Sequence, residues 1–387
     1  MSQNGIIYLD HAGTSFPKAP EVAEAAATFL SYSAGNPGRG GHRLSVAASR
    51  VVEGAREDVA TLLGNHPERT FFGPGATFWL NTVMASRLGF GARVVTTALE
   101  HNAVMRPLRW FEKTRRIKIA VVEGSQRSGV PTAEEVAHRV REAPTALVVM
   151  THASNVSGSV LPVAEVAAAV APVPVLVDAA QTAGSLPIDF EALGVAALAC
   201  SGHKGLLGPP GIGMLLLAPW FEIEPLVRGG TGSRSESEEM PDSLPDRFEA
   251  GTVNSAGAAG LGAACRWLRE RSVEAVHDHQ QRLVARIVEG ISAIKGVEIH
   301  GRDEHAPHIG ILSFSLTSRD IGEVAAWLDR ERGIMLRAGL HCAPAAHRRL
   351  GTFPEGTLRA GVGPFNTQDD VDALIRAVAE LSETGGI

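Results

Sequence analysis

Ser201-Gly202-His203-Lys204-Gly205 closes the apolar run Val195-Ala196-Ala197-Leu198-Ala199-Cys200, so that a lysine stands where a buried strand stops. Such an amine is poorly placed for solvation; burial disfavours its charged form, lowers its pKa and leaves it available as a nucleophile. That is the setting of a Schiff-base lysine. Asp178 ends a second apolar run, Pro174-Val175-Leu176-Val177, and Gln181 follows one short turn later. An acid and a lysine on two strand ends are what pyridoxal 5'-phosphate (PLP) demands, one to keep the ring nitrogen protonated and one to hold the aldehyde.

The neighbouring segments alternate in period. Strands are predicted over Val94 to Ala98, Ile117 to Val122, Ala146 to Thr151 and Val175 to Asp178, with helices over Thr77 to Leu88, Ala133 to Arg141 and Val163 to Val170. This alternation indicates an α/β fold with a parallel or mostly parallel sheet. Gly211 to Leu217 reads as a strand returning after the lysine loop. Further upstream, Ser45 is a candidate cap for a helix through Val46, Val52, Ala55, Val59 and Leu63, with Gly64 placed to stop it. Gly229 to Asp246 is rich in Gly, Ser, Glu and Pro and reads as a long loop over the site or a subunit contact. Helices from Ala256 to Arg271 and Val273 to Ile294 follow. The tail alternates again: strand Ile309 to Leu316, helix Ile321 to Arg332, strands Ile334 to Arg337 and Thr357 to Val362, and helix Asp369 to Leu381. It reads as a smaller α+β domain.

The 387 residues exceed one ordinary core, and 44% hydrophobic with 20% charged residues is the composition of a soluble globular protein. A net charge of −6 with no basic run gives no reason to expect nucleic acid or an anionic membrane as partner. The start, Met1-Ser2-Gln3-Asn4-Gly5, lacks the pattern of a signal peptide, and the expected location is the cytoplasm. Cys200, Cys265 and Cys342 include no close pair, which argues against a disulfide framework and a cysteine-rich zinc site. No metal is expected.

Several other residues carry candidate chemistry beside a plainer reading. Gly73-Pro74-Gly75-Ala76-Thr77 precedes a helix, where free N–H groups favour a phosphate, although a turn and cap explain the same residues. His101 and Asn155 each follow a strand end, where ligands of open sheets collect; a solvated histidine and ordinary turn chemistry are the alternatives. Asp178 is either a partner for a cationic ring or the cap of a following helix. Arg359, on an apolar strand, either forks to a substrate carboxylate or makes a structural salt bridge. Cys342 lies in the loop Arg337-Ala338-Gly339-Leu340-His341-Cys342-Ala343-Pro344, where an exposed thiol near a histidine can be reactive, whereas Cys200 and Cys265 read as small core residues. The glycine-rich Gly208 to Gly213 does not open a helix after a strand, which counts against a dinucleotide site.

Taken together, Asp178-Ala179-Ala180-Gln181, Ser201-Gly202-His203-Lys204, Phe248-Glu249-Ala250-Gly251-Thr252-Val253-Asn254 and the Cys342 loop resemble the class V aminotransferase-like PLP enzymes of fold-type I, and among them the group II cysteine desulfurases and selenocysteine lyases (the SufS-like branch). The resemblance spans nearly the whole chain, from Tyr8-Leu9-Asp10-His11-Ala12 to Phe365-Asn366-Thr367. It implies a large PLP-binding domain over 14–255 with a mostly parallel seven-stranded sheet, and a small α+β domain from 1–13 and 256–387 that carries the cysteine loop. It implies that Lys204 holds the cofactor, Asp178 pairs with the ring nitrogen, Gln181 bonds the ring hydroxyl and His101 stacks on the ring beside Asn155. Ala76, Thr77, Ser201 and His203 would hold the phosphate, with Thr252 reaching it from the partner subunit of a homodimer. Arg359 would grip the substrate carboxylate, and Asn36, Arg39 and His42 would line the entrance.

The implied activity is desulfuration of L-cysteine or a related amino acid to L-alanine, with Cys342 and Lys204 as catalytic residues, His101 able to return a proton, and sulfur carried on Cys342 as a persulfide for an acceptor protein. In one departure, Leu340 stands where the branch usually has the first of two histidines before the cysteine. A lyase, epimerase or aminotransferase using Lys204 alone is the alternative activity, and a non-catalytic sulfur-relay scaffold the alternative of another class.

Overall fold

The computed structural model describes residues 6–38 and 40–383. After β1 (Ile7–Tyr8) and α1 (Val22–Thr28), the long helix α2 (Arg43–Leu63) leads through β2 (Thr70–Gly73) to α3 (Ala76–Arg87). Then come β3 (Arg93–Thr97), α4 (Asn102–Arg115), β4 (Lys118–Val122), α5 (Ala133–Arg141), β5 (Leu147–Thr151), α6 (Val163–Val170), β6 (Val175–Asp178), α7 (Phe190–Leu193), β7 (Ala197–Ser201) and β8 (Gly213–Leu217). Two helices, α8 (Ser255–Arg271) and α9 (Val273–Ser292), precede β9 (Val297–His300), β10 (Ile311–Leu316), α10 (Ile321–Arg332), β11 (Ile334–Met335), β12 (Arg337–Gly339), α11 (Pro344–Arg349), β13 (Thr357–Gly361) and α12 (Gln368–Glu383).

The large sheet has seven strands in the order β2-β8-β7-β6-β5-β3-β4. Only β8 runs against the others, pairing antiparallel with both β7 and β2. The central strands β5, β6 and β7 are buried at every position, which is why they read as unbroken apolar runs. Their carboxyl ends lie side by side, with Thr151 beside Asp178 and Asp178 beside Ala199 in register. The crevice outside such ends is where open α/β sheets bind ligands.

A second sheet, β12-β13-β10-β9, is antiparallel and forms another apolar core with α9, α10 and α12 around Leu312, Phe314, Leu328, Leu358 and Leu374. The change of core does not fall at the expected residue 256. Ala258, Leu261, Ala264, Cys265 and Leu268 of α8 pack in the core of the large sheet, as do Val273 and Val276; the second core begins at Leu283, part-way along α9. Leu9 joins the second core, and β1 pairs with β11, so residues 7–9 are built into the smaller unit.

Other departures from the sequence reading have local causes. His42, not Ser45, caps α2: its Nδ1 accepts the Ser45 N–H, while Ser45 Oγ accepts from Gly40 N and donates to the Asn36 carbonyl. Gly64 stops α2 in the left-handed region, φ +65°. Helix α4, absent from the sequence reading, carries Pro107 in its interior, which reads as a break, although its buried Val104, Leu108 and Phe111 recur at helical spacing. The strand read over Ile334 to Arg337 is divided between two sheets as β11 and β12. Among the described residues no helix is long and apolar enough to cross a membrane.

Candidate active site

Four neighbouring parallel strands deliver the site. Lys204 comes three residues after β7 ends, Gln181 three after β6, Asn155 four after β5 and His101 four after β3. They line one cavity with Asp178, Ala76, Thr77, Ser201 and His203. The structure thus brings together nine of the residues assigned to PLP from the sequence.

Asp178 is the last residue of β6 and is buried; its Oδ1 accepts the Ala180 N–H at 3.0 Å in a tight turn, and no helix follows for it to cap. Burial pushes its carboxyl pKa up, against the Ala180 N–H and the Lys204 charge. A cation brought into the cavity relieves that cost. Lys204 is half-buried, and no hydrogen bond from its Nζ is seen among the described residues. Burial lowers its pKa, Asp178 opposes this, and Arg359 and Arg337 add to the lowering. The amine is therefore held toward its neutral, nucleophilic form.

The strand-to-helix turn before α3 has the construction of an anion cradle. Gly75, the N-cap of α3, supplies no side chain, and of the first amides Ala76 N–H is taken by Ser201 Oγ at 3.1 Å. The turn lies so close to β8 that a Cβ on Gly213 would stand 2.6 Å from Gly75 Cα, so only glycine fits there. His203 is fixed through its backbone: its carbonyl accepts from Ser15 N, Ser15 Oγ and Lys18 Nζ, while Nδ1 meets Thr14 Oγ1 at 3.1 Å. His101 caps α4, with Nδ1 accepting the Ala103 N–H, so Nε2 carries the ring proton. Burial, then Lys204, brings the His101 pKa down to about 4. Gln181 Nε2 donates to the Ala12 carbonyl at 3.1 Å.

Asn155 spans the site. It is buried; Nδ2 donates to the His341 carbonyl at 2.7 Å, its own carbonyl accepts from Arg359 Nη1 at 3.0 Å, and Oδ1 is buried without a partner. Arg359, fully buried on β13, also bonds Asp10 through Nη2 at 2.8 Å, while Nε is unpaired. The structural salt bridge is present and orients the guanidinium. Cys342 is exposed, whereas Cys200 and Cys265 are buried, as read from their apolar neighbours.

Asn36, His42 and Thr252 are exposed and do not line this cavity. Arg39 lies outside the described residues. Three residues went unremarked in the sequence. Glu100 is fully buried, bonded through Oε1 to Thr97 Oγ1 (2.6 Å) and Thr151 N (2.9 Å), with Oε2 unpaired and its pKa pushed up to about 8 by burial. Its signal was an acid inside Ala98-Leu99-Glu100. Asp10 orients Arg359, and Arg337 stands directly across from Arg359 on β12.

A helix start whose N-cap is a glycine, a buried carboxyl, an amine and an orphaned amide oxygen fit the phosphate, ring nitrogen, aldehyde and hydroxyl of PLP. A family model described as aminotransferase class-V matches residues 7–374. The chain belongs to that family. It is accordingly a PLP-dependent enzyme. A probable cysteine desulfurase of Methanothermobacter thermautotrophicus is 33% identical over 98% of this chain and 95% of its own length. A probable cysteine desulfurase 2 of Mycobacterium leprae is 35% identical over 97% and 91%. Among solved structures, the apo cysteine desulfurase of Thermococcus onnurineus NA1 superposes with a TM-score of 0.92 at 30% identity, covering 98% of this chain and 95% of that one. The Escherichia coli cysteine desulfurase CsdA, in its S-sulfonic acid form, gives 0.85 at 30% identity, with the same coverage.

Proposed function

We infer that the chain is a cysteine desulfurase that converts L-cysteine to L-alanine and keeps the sulfur as a persulfide on Cys342. The observation that carries this is an exposed thiol whose loop is bonded directly to the Lys204 cavity, through Asn155 Nδ2 to the His341 carbonyl and Asn102 N to the Cys342 carbonyl. When bound, PLP draws charge from the substrate's Cα. Asp178 would hold the ring nitrogen protonated, His101 would cover the ring, and Ala76, Thr77, Ser201 and His203 would hold the phosphate. Lys204 would take the Cα proton, and Arg359 would hold the carboxylate so that the substrate sulfur faces Cys342. Cys342 Sγ bonds to that sulfur as its bond to Cβ breaks; Lys204 or His101 returns protons to carbon. The sum is L-cysteine plus a thiol giving L-alanine plus a persulfide, with no outside oxidant or reductant.

The entrance residues Asn36, Arg39 and His42, and Thr252 as a phosphate ligand for a second copy, belong to the same proposal, as do the homodimer and an acceptor protein for the sulfur. Exposure of Asn36, His42 and Thr252 supports these assignments. The smaller unit carrying the cysteine loop is proposed to act as a domain, and three free thiols suit a reducing cytoplasm.

Mass spectrometry after turnover tests the reading: the wild type should gain one sulfur on Cys342 with alanine in equal amount. Cys342→Ala should lose both by roughly 100-fold or more. Sulfide released by Cys342→Ala at the wild-type rate would leave the persulfide route wrong. The pH profile is a second check. With its pKa near 4, His101 is neutral throughout the range where an ordinary histidine titrates, so kcat should show no step at about pH 6.5 that disappears in His101→Gln. Such a step would mean that His101 titrates as a solvated imidazole.

A further inference from the structure

We propose that Asn155 is the positioning residue for Cys342, fastening the sulfur-carrying loop to the cofactor cavity with the same side-chain amide that faces the cofactor. This rests on the desulfurase reading and deepens it. His341 and Cys342 both have positive φ, +49° and +57°. Two consecutive side-chain-bearing residues in the left-handed region persist only where the surroundings hold them there. Among the described residues the loop is held by Asn155 Nδ2 to the His341 carbonyl (2.7 Å), Asn102 N to the Cys342 carbonyl (2.8 Å), Ala343 N to the Leu340 carbonyl (2.8 Å) and His341 Nε2 with Thr357 Oγ1 (3.1 Å). Only the Asn155 bond comes from a side chain that also lines the cavity.

Its orientation is forced. The His341 carbonyl can only accept, so the NH2 group of Asn155 must face it, and Oδ1 is left buried and unpaired. A donor entering the cavity completes the amide without disturbing the clamp. A group that turned the amide over would break the clamp and aim Oδ1 at the His341 carbonyl. The backbone carbonyl of Asn155 meanwhile accepts from Arg359. One buried residue thereby ties together the cofactor cavity, the arginine proposed to hold the substrate carboxylate and the thiol proposed to receive sulfur.

The test compares wild type with Asn155→Asp, which keeps shape and acceptor but as a carboxylate cannot donate, and with Asn155→Ser, which is uncharged and too short to reach. In cofactor-free protein, deuterium uptake by the peptides containing Asn102 and Ala343 should rise roughly fivefold in both variants, the consequence of losing one hydrogen bond. With PLP and L-cysteine, persulfide formation on Cys342 should fall about 100-fold, while Lys204-dependent exchange of the substrate Cα–H in deuterated water falls less than tenfold. Unchanged deuterium uptake in both variants, or equal losses of exchange and persulfide, would overturn the clamp. If the wild type formed no persulfide, the desulfurase reading would fail by itself, and deuterium uptake would still decide the clamp.

Discussion

Lys204→Ala is expected to remove turnover of L-cysteine by at least 10²- to 10⁴-fold, the usual worth of a positioned proton-transfer group, and to abolish the borohydride-fixed attachment of PLP to the chain. It should do so without harming the fold. Lys204 Nζ has no hydrogen bond among the described residues, and burial opposes its charge more than Asp178 supports it, so deleting it breaks no hydrogen bond and relieves a desolvated amine. The sign follows from linkage: a lysine whose folded pKa lies below its unfolded one detracts from stability at neutral pH, so Tm should stay the same or rise. Added small amines should restore part of the Cα–H exchange, because the cavity keeps Asp178, His101 and the turn proposed to hold the phosphate. Cofactor still fixed to the variant by borohydride would identify another lysine as the anchor. A large fall in Tm would show that Lys204 is paired after all.

The same residue shows what the sequence made legible. A strand buried on both faces has to be an apolar run, and a polar residue just past it has to sit at the sheet's carboxyl edge, so Lys204, Asp178, Asn155 and His101 each read as strand-end residues, while their places relative to one another depend on a strand order that spacing does not give. The polar groups that hold these residues were harder to see. Glu100 lies in a run as apolar as a strand, yet nothing local says that its partners are Thr97 and Thr151 N, fifty-one residues on. Asp10 meets Arg359 across nearly the full length of the chain: the salt bridge holds Nη2, the Asn155 carbonyl holds Nη1, and Nε stays unpaired. The cap of α2 departs from the expected Ser45 for a similar reason. Serine is the commoner cap, but here the His42 ring nitrogen accepts the bond and Ser45 is drawn back to Asn36 and Gly40. The junction near residue 256 looked like a boundary because a loop ends there, whereas the change of core depends on which face of α9 meets which sheet.

Glu249→Ala should be among the most destabilising single changes available in this chain, at about 3–5 kcal/mol. Glu249 and Arg56 are both buried and paired in a two-point fork, Nη1 to Oε1 at 2.6 Å and Nη2 to Oε2 at 3.0 Å. Glu249 Oε1 also accepts the Phe72 N–H at 2.7 Å, and Arg56 donates to the Thr70 carbonyl while lying 4.8 Å from the Phe72 ring centroid. Removing the carboxylate leaves a buried guanidinium with the Thr70 carbonyl and the half-exposed Glu53, and leaves a β2 amide without its acceptor. Tm should drop by about 5 °C. PLP affinity should weaken too, because β2 runs directly into the Gly75–Thr77 cradle and Glu249 anchors the segment that carries Thr252. Arg56→Met combined with Glu249→Leu removes both charges at similar volume, and most of the lost stability should return. If the double variant melted as low as Glu249→Ala, the loss would come from packing of α2 against β2 and not from the uncompensated charge. Recovery of Tm without recovery of PLP affinity would assign the ion pair to the geometry of the cradle instead of to the stability of the core.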